Sequence, residues 1–334
     1  MTDLQTRCRR LVAELKLGSE HDVEEVEPLT GGVASDIARV RVKGKNLCVK
    51  FALPQLKVEA TWLAPVHRNA ADYAWLRVAH EVSPQNAVEL LGHSESQSGF
   101  AMAFLEGDGV YLWKAALLKE APDRGEAAAV GDLLGRVHAA SSEPTFDARP
   151  FQNHDDFRAL RIEPYLLHTA KAHAAVAPAL KRLANMLHAA DRVLVHGDVS
   201  PKNIFFRAGS PVLLDAECAT MGDASFDPAF CLNHLVLKAV HLQASRAQYL
   251  ASVCALWGAY VVHATWENAT ALEQRVCRLL PALMLARIDG KSPVEYLSDP
   301  DRDRVRQLAL GLLAHPTDTL SALVKQITEG LIET

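Results

Sequence analysis

The sequence predicts an α+β protein, with a β-rich first lobe over residues 1–105 and a mostly helical second lobe over residues 106–334. Three features carry that prediction. Short runs of alternating apolar residues, broken by turn residues, fill 23–51. From 126 onward, apolar residues instead recur three and four positions apart. Within that second region, residues 192–217 read RVLVHGDVSPKNIFFRAGSPVLLDAE, three short apolar runs with Asp198, Asn203, Asp215 and Glu217 on the loops at their ends. A chain of 334 residues is long enough for two lobes and a large core.

The first lobe opens on a helix over 3–17, where Leu4, Cys8, Leu11, Val12 and Leu15 fall at helical spacing and Gly18 supplies the stop. Strands follow at 23–29, 37–42 and 47–51, the last two joined by a turn at Lys43-Gly44-Lys45-Asn46. Gly31 and Gly32, after the first strand, let backbone N–H groups approach phosphate oxygens without side-chain clash, and Ser35 adds a hydroxyl donor. The alternative for these glycines is a plain hairpin turn. Lys50 stands in an otherwise apolar strand, where an ammonium is costly unless it meets an anion. The alternative is an edge strand with its lysine in water. A helix over 68–80 and strands at 88–91 and 100–105 complete the lobe, and Glu106-Gly107-Asp108-Gly109 is a flexible hinge. Trp75 and Leu76 are expected in the core of this lobe.

In the second lobe, helical patterns cover 126–140, 149–166 and 170–190 before the 192–217 stretch, and 229–243, 246–267, 275–287, 301–314 and 318–332 after it. Asp227 precedes Pro228 at the head of a helix, an N-cap position from which it would support the 196–198 loop. His234, His241 and His263 lie among apolar residues and read as core or helix-face histidines. Trp257, Tyr260 and Trp266 have helical spacing and read as core; the alternative is a pocket for a cationic amine. Arg287 either meets an anionic group or answers the negative end of its helix.

The chemistry concentrates at 198–217. Asp198 carries a carboxylate that can align a substrate hydroxyl and take its proton during phosphoryl transfer. Asn203 offers a metal a neutral oxygen, and Asp215 an anionic one. Glu217, two residues along a segment read as extended, would point to the same face as Asp215. It either holds a second metal ion or pairs with a nearby arginine. Such a set of oxygen donors suits Mg²⁺ and phosphate.

His196-Gly197-Asp198 followed by Asn203 resembles the HGDxxxxN catalytic loop of the aminoglycoside phosphotransferase and choline kinase group of small-molecule kinases. Asp215-Ala216-Glu217 is nearer the D-x-E of choline and methylthioribose kinases than the D-x-G of many antibiotic kinases. The resemblance implies a two-lobed protein-kinase-like fold that uses ATP and Mg²⁺ to phosphorylate a hydroxyl of a small molecule. It assigns Lys50 to the ATP phosphates and the backbone of Ala103 and Leu105 to adenine, with Met102 behind it. Arg68-Asn69-Ala70-Ala71-Asp72 matches the family pattern R-x-x-x-E with Asp for Glu, which leaves open whether Asp72 pairs with Lys50. A nucleotide-binding module that has lost transfer is the alternative from another class. A protein kinase is disfavoured by Gly197 in place of the arginine of H-R-D and by the lack of D-F-G.

Composition excludes other classes. The net charge is −5 with scattered Lys and Arg, so no nucleic-acid footprint is visible. The six cysteines show no C-x-x-C pair and read as reduced, mostly buried thiols. The first residues lack a signal-peptide core, and the apolar stretch at 253–264, broken by Gly258 and His263, is too short for a membrane span. A soluble, cytoplasmic protein is expected.

Overall fold

The computed structural model describes residues 3–29, 35–55 and 65–332; Gly31 and Gly32 lie outside the described residues. Helix α1 (Asp3–Glu14) is followed by β1 (Val23–Leu29), β2 (Ser35–Val42), β3 (Lys45–Ala52), α2 (Arg68–Val82), β4 (Leu90–Ser94) and β5 (Gly99–Ala103). The strands form one antiparallel sheet in the order β1-β2-β3-β5-β4. Period-two alternation divides its faces. Ala38, Val40, Leu47, Val49, Phe51 and Ala101 pack with Cys8, Leu11 and Val12 of α1. On the opposite face, Cys48, Phe100 and Met102 join the main core. The register sets Lys50 between Ile37 and Phe100 on that face. Strand β3 is therefore central and Lys50 is only 2% exposed, which rules out the edge-strand alternative. Strand β4 starts later than expected, and its pairing shifts register between Leu90 and Gly92.

The second lobe begins with β6 (Tyr111–Leu112), α3 (Trp113–Leu118) and α4 (Glu126–Ser141). The two helices expected at 149–166 and 170–190 are more broken. They form α5 (His154–Phe157), a π-helix over Arg158–Leu167, α6 (His168–Ala172) and α7 (Ala177–Ala189). Pro164 lies inside the π-helix, where its missing N–H and its ring disrupt a regular α ladder. Strands β7 (Val193–Val195), β8 (Ile204–Arg207), β9 (Ser210–Leu213) and β10 (Thr220–Gly222) build two small sheets, ordered β10-β7 and β6-β8-β9. Helices α8 (Phe226–His241), α9 (Arg246–Val261), α10 (Ala269–Asp289), α11 (Asp299–Ala314) and α12 (Leu320–Ile332) follow.

Helices α4 and α9 approach closely enough that a Cβ on Gly131 would lie 2.1 Å from the Leu256 carbonyl oxygen. Trp257, Tyr260 and Trp266 are buried. The Tyr260 hydroxyl donates to the Ala224 carbonyl at 3.0 Å and lies 2.8 Å from His138 Nδ1. These aromatics are core, and the amine pocket is not formed. His234 is buried, and His263 pairs with Asp132 at 2.9 Å. The cysteines are free thiols, buried except for Cys254. Among the described residues no helix is long and apolar enough to cross a membrane.

Candidate active site

Lys50 is the centre of a tight charge cluster. Its Nζ lies 2.7 Å from Asp72 Oδ2, 2.5 Å from Asp215 Oδ1 and 2.9 Å from Glu217 Oε1. Asp72, although one methylene shorter than the family's glutamate, reaches the lysine and also accepts the Ala216 N–H at 2.8 Å. Burial disfavours the ammonium, but Asp215, Asp72 and Glu217 together outweigh it and raise the Lys50 pKa well above its usual value. Burial pushes the Asp72 carboxyl up to about 6, against the pull of Lys50. Glu217 feels the same burial, yet Lys50 and Arg68 hold it down to about 2.

Glu217 forms the arginine pair that was one of its two alternatives: Arg68 Nε donates to Oε2 at 2.6 Å. The hydroxyl of Ser35 donates to the other oxygen, so this proton serves Glu217 rather than a ligand. Arg68 also ties the Pro65 and Leu53 carbonyls at 2.7 and 2.8 Å. Glu217 does not reach this place along an extended segment. The strand ends at Leu213 and Asp215 has a left-handed φ of 70°, so a turn, not strand alternation, brings the two acids to one lysine.

The loop after β7 carries Asp198. Asp227 accepts the N–H of His196 at 2.7 Å and of Gly197 at 2.9 Å, bracing the loop from α8. It acts through these bonds and not as an N-cap, since Ser225 holds that position. Gly197 has φ 80°, and a Cβ there would meet Cys218 Cβ at 2.8 Å, so the turn requires glycine. Asn203 donates to the Asp198 carbonyl at 3.1 Å, and its own carbonyl accepts the Leu214 N–H at 2.9 Å. This links the Asp198 loop to the segment bearing Asp215. Trp75 stands edge-on to the His196 ring with centroids 4.6 Å apart, so it packs on this loop rather than solely within the first lobe.

Two cations converge on Asp198. Arg161, from the π-helix, lies 3.1 Å from Oδ2, and its Nε donates to the Gly197 carbonyl. Lys202 lies 3.3 Å from the same oxygen. Burial raises the Asp198 carboxyl, but Lys202 and Arg161 prevail and hold it well below the usual carboxylate range. Arg161 left no signal in the sequence, being one arginine in a helical stretch far from the loop. Of the two residues expected to meet adenine, Ala103 already donates its N–H to the Glu89 carbonyl at 2.8 Å, whereas Leu105 lies past the end of β5 and is half-buried.

Asp72, Asp215 and Glu217 have carboxylate oxygens within 4.8 Å of one another, a metal-like grouping among the described residues. The Lys50 ammonium already contacts all three, and both Glu217 oxygens are committed. Asp215 is the open member, with a side chain 29% exposed, and Asn203 lies beside the same segment. Their oxygens fit a hard divalent cation. A concavity of about 770 Å³ opens elsewhere, lined by Arg77, Glu81, Arg136, Phe146 and Phe151; none of the charged groups above borders it.

A β-rich lobe and a helical lobe, joined by a strand lysine held among acids near a catalytic-type loop, define a kinase-like protein. Residues 25–272 match the model of the phosphotransferase enzyme family (APH), and the chain belongs to that family. No curated protein matches the chain. Among solved structures, a choline/ethanolamine kinase family protein from Mesorhizobium loti is similar at TM-score 0.53 and 17% identity, over 100% of this chain and 96% of that one. An ethanolamine kinase from Plasmodium vivax is similar at TM-score 0.52 and 12% identity, over 98% and 86%. The amicoumacin kinase hAmiN, in complex with AMP-PNP and Ca²⁺, is similar at TM-score 0.55 and 12% identity, over 96% and 100%. At such identities the likeness is one of fold.

Proposed function

We propose that this chain transfers a phosphoryl group from ATP, with Mg²⁺, to the hydroxyl of a small molecule, in a cleft between residues 1–105 and 106–334. The observation that carries the proposal is the placement of Lys50, 2.5 Å from Asp215, with Asn203 joining that segment to the Asp198 loop. Lys50 anchors phosphate oxygens, and Asp72 and Glu217 hold the lysine in position. Asn203 and Asp215 are the residues that would hold the metal, which supplies charge neutralisation to the transferring group. Asp198 orients the acceptor hydroxyl and receives its proton as the new O–P bond forms and the γ-phosphorus bond to the bridging oxygen breaks, releasing ADP. The backbone of Leu105 is the adenine contact we favour.

The second reading, a nucleotide-binding module without transfer, draws on Arg161 and Lys202, which both cover Asp198 Oδ2. One experiment decides between them. Mg²⁺-dependent ADP release should fall about 10²–10⁴-fold in Asp198→Asn, while ATP binding by calorimetry stays intact. Binding with no turnover in the unsubstituted chain, across hydroxylated amines, sugars and acids, would favour the module.

A further inference from the structure

The two sides of the Asp198 loop differ in sign. Around Lys50, two cations (Lys50 and Arg68) face three carboxylates, a balance that suits an incoming cation. On the other side the balance reverses. Arg161 and Lys202 both face the single carboxylate of Asp198. Two guanidinium groups approach the Tyr165 ring, with Arg161 Cζ 6.0 Å and Arg287 Cζ 5.9 Å from its centroid. Arg287 also donates to the Tyr165 hydroxyl at 3.3 Å, and its Nε is buried without a hydrogen-bond partner.

Lys238 on α8 continues this basic side. It is 1% exposed, and its Nζ lies 5.1 Å from the Tyr296 ring centroid, with the His234 carbonyl 3.5 Å away. Among the described residues no carboxylate pairs with it. The nearby acid, Glu295, is bonded to Lys114 instead. The Tyr296 hydroxyl is buried without a hydrogen-bond partner. His234, one turn before Lys238, lies in the field of Arg287, Lys238, Asp198 and Lys202, and burial keeps its ring neutral. A buried guanidinium nitrogen and a buried hydroxyl without partners, beside a buried amine with no counter-charge, are costly together unless a ligand supplies acceptor oxygens.

We propose that the hydroxyl compound phosphorylated by this chain carries an anionic oxygen group, a carboxylate or a phosphate, held by Arg287 and Lys238. The proposal rests on the phosphotransferase reading above. A compound with an ammonium in that place would meet like charge, and a neutral one would leave the buried donors unanswered. Arg287 touches Tyr165 and not Asp198, so it grips the acceptor away from the reacting hydroxyl.

Calorimetry on the Mg–ADP-bound chain tests this with four hexose probes: gluconate, glucose 6-phosphate, glucose and glucosamine. At least one anionic probe should bind about tenfold tighter than glucose, with glucosamine weakest, and the two anionic arms separate carboxylate from phosphate. Arg287→Gln and Lys238→Met should each cut that preference to about threefold or less. Lys202→Gln alters an exposed side chain, so it serves as the variant whose folding is not at risk, and it too should weaken the preference. Equal binding of glucose or glucosamine, no binding of either anionic probe, or a preference that survives all three substitutions overturns the proposal. Asp198-dependent ADP release without anion preference overturns this inference alone. Anion preference without any ADP release overturns the phosphotransferase reading instead.

Discussion

Asp72 grips Lys50 at 2.7 Å with one carboxylate oxygen and the Ala216 backbone N–H at 2.8 Å with the other. The lysine and the turn bearing Asp215 and Glu217 are thereby fixed to the same side chain of α2. Asp72→Asn leaves a buried ammonium short of one counter-charge, although Asp215 and Glu217 remain. We expect a stability loss of about 3 kcal/mol in denaturant titration and roughly tenfold weaker ATP binding by calorimetry.

Asp227→Ala removes the acceptor for two backbone N–H groups of the His196–Gly197 turn. Hydrogen bonds to a charged acceptor are worth about 1.5–3 kcal/mol each, so the variant should lose about 3 kcal/mol or more. Its effect on chemistry should be selective. In single-turnover assays the transfer step should slow markedly while ATP affinity holds, because among the described residues Asp227 bonds to His138, His196 and Gly197 and to no member of the Lys50 cluster.

Lys238 gives a pH signature. Burial, helped by Lys114, lowers its pKa from 10.5 to about 7. Between those values the unfolded chain binds a proton that the folded chain does not, so stability should rise as pH increases from about 7 towards 10.5. Lys238→Met should flatten this rise and be neutral or stabilising at pH 7, as measured by thermal melts across the range. A rise of unchanged slope in the variant would contradict the assignment.

The legible part of the site was the part written as short-range spacing. Asp198, Asn203 and Asp215 sit at the ends of apolar runs within one stretch, and Lys50 announces itself as a charge in an apolar strand. The first lobe was readable for a related reason, because period-two alternation directly divides a sheet into faces. Asp72 and Arg68 were visible only as a five-residue pattern whose partners lie across the fold. The place of Glu217 was reached by strand alternation, yet the chain there is a turn begun by the left-handed Asp215. Arg161 was not legible at all, since its approach to Asp198 depends on a π-helix containing Pro164. His234 and Lys238 read correctly as members of a buried helix, but sequence has no mark for a buried amine without a counter-charge.

Arg68, Asp72 and Trp75 follow one another at helical intervals and touch Glu217, the Ala216 amide and the His196 ring respectively. A single stripe of α2 therefore keys the acid-bearing turn and the His196–Asp198 loop together. A roll of that helix about its axis would release all three contacts at once. The three contacts therefore share one support, and each depends on the seating of the same helix.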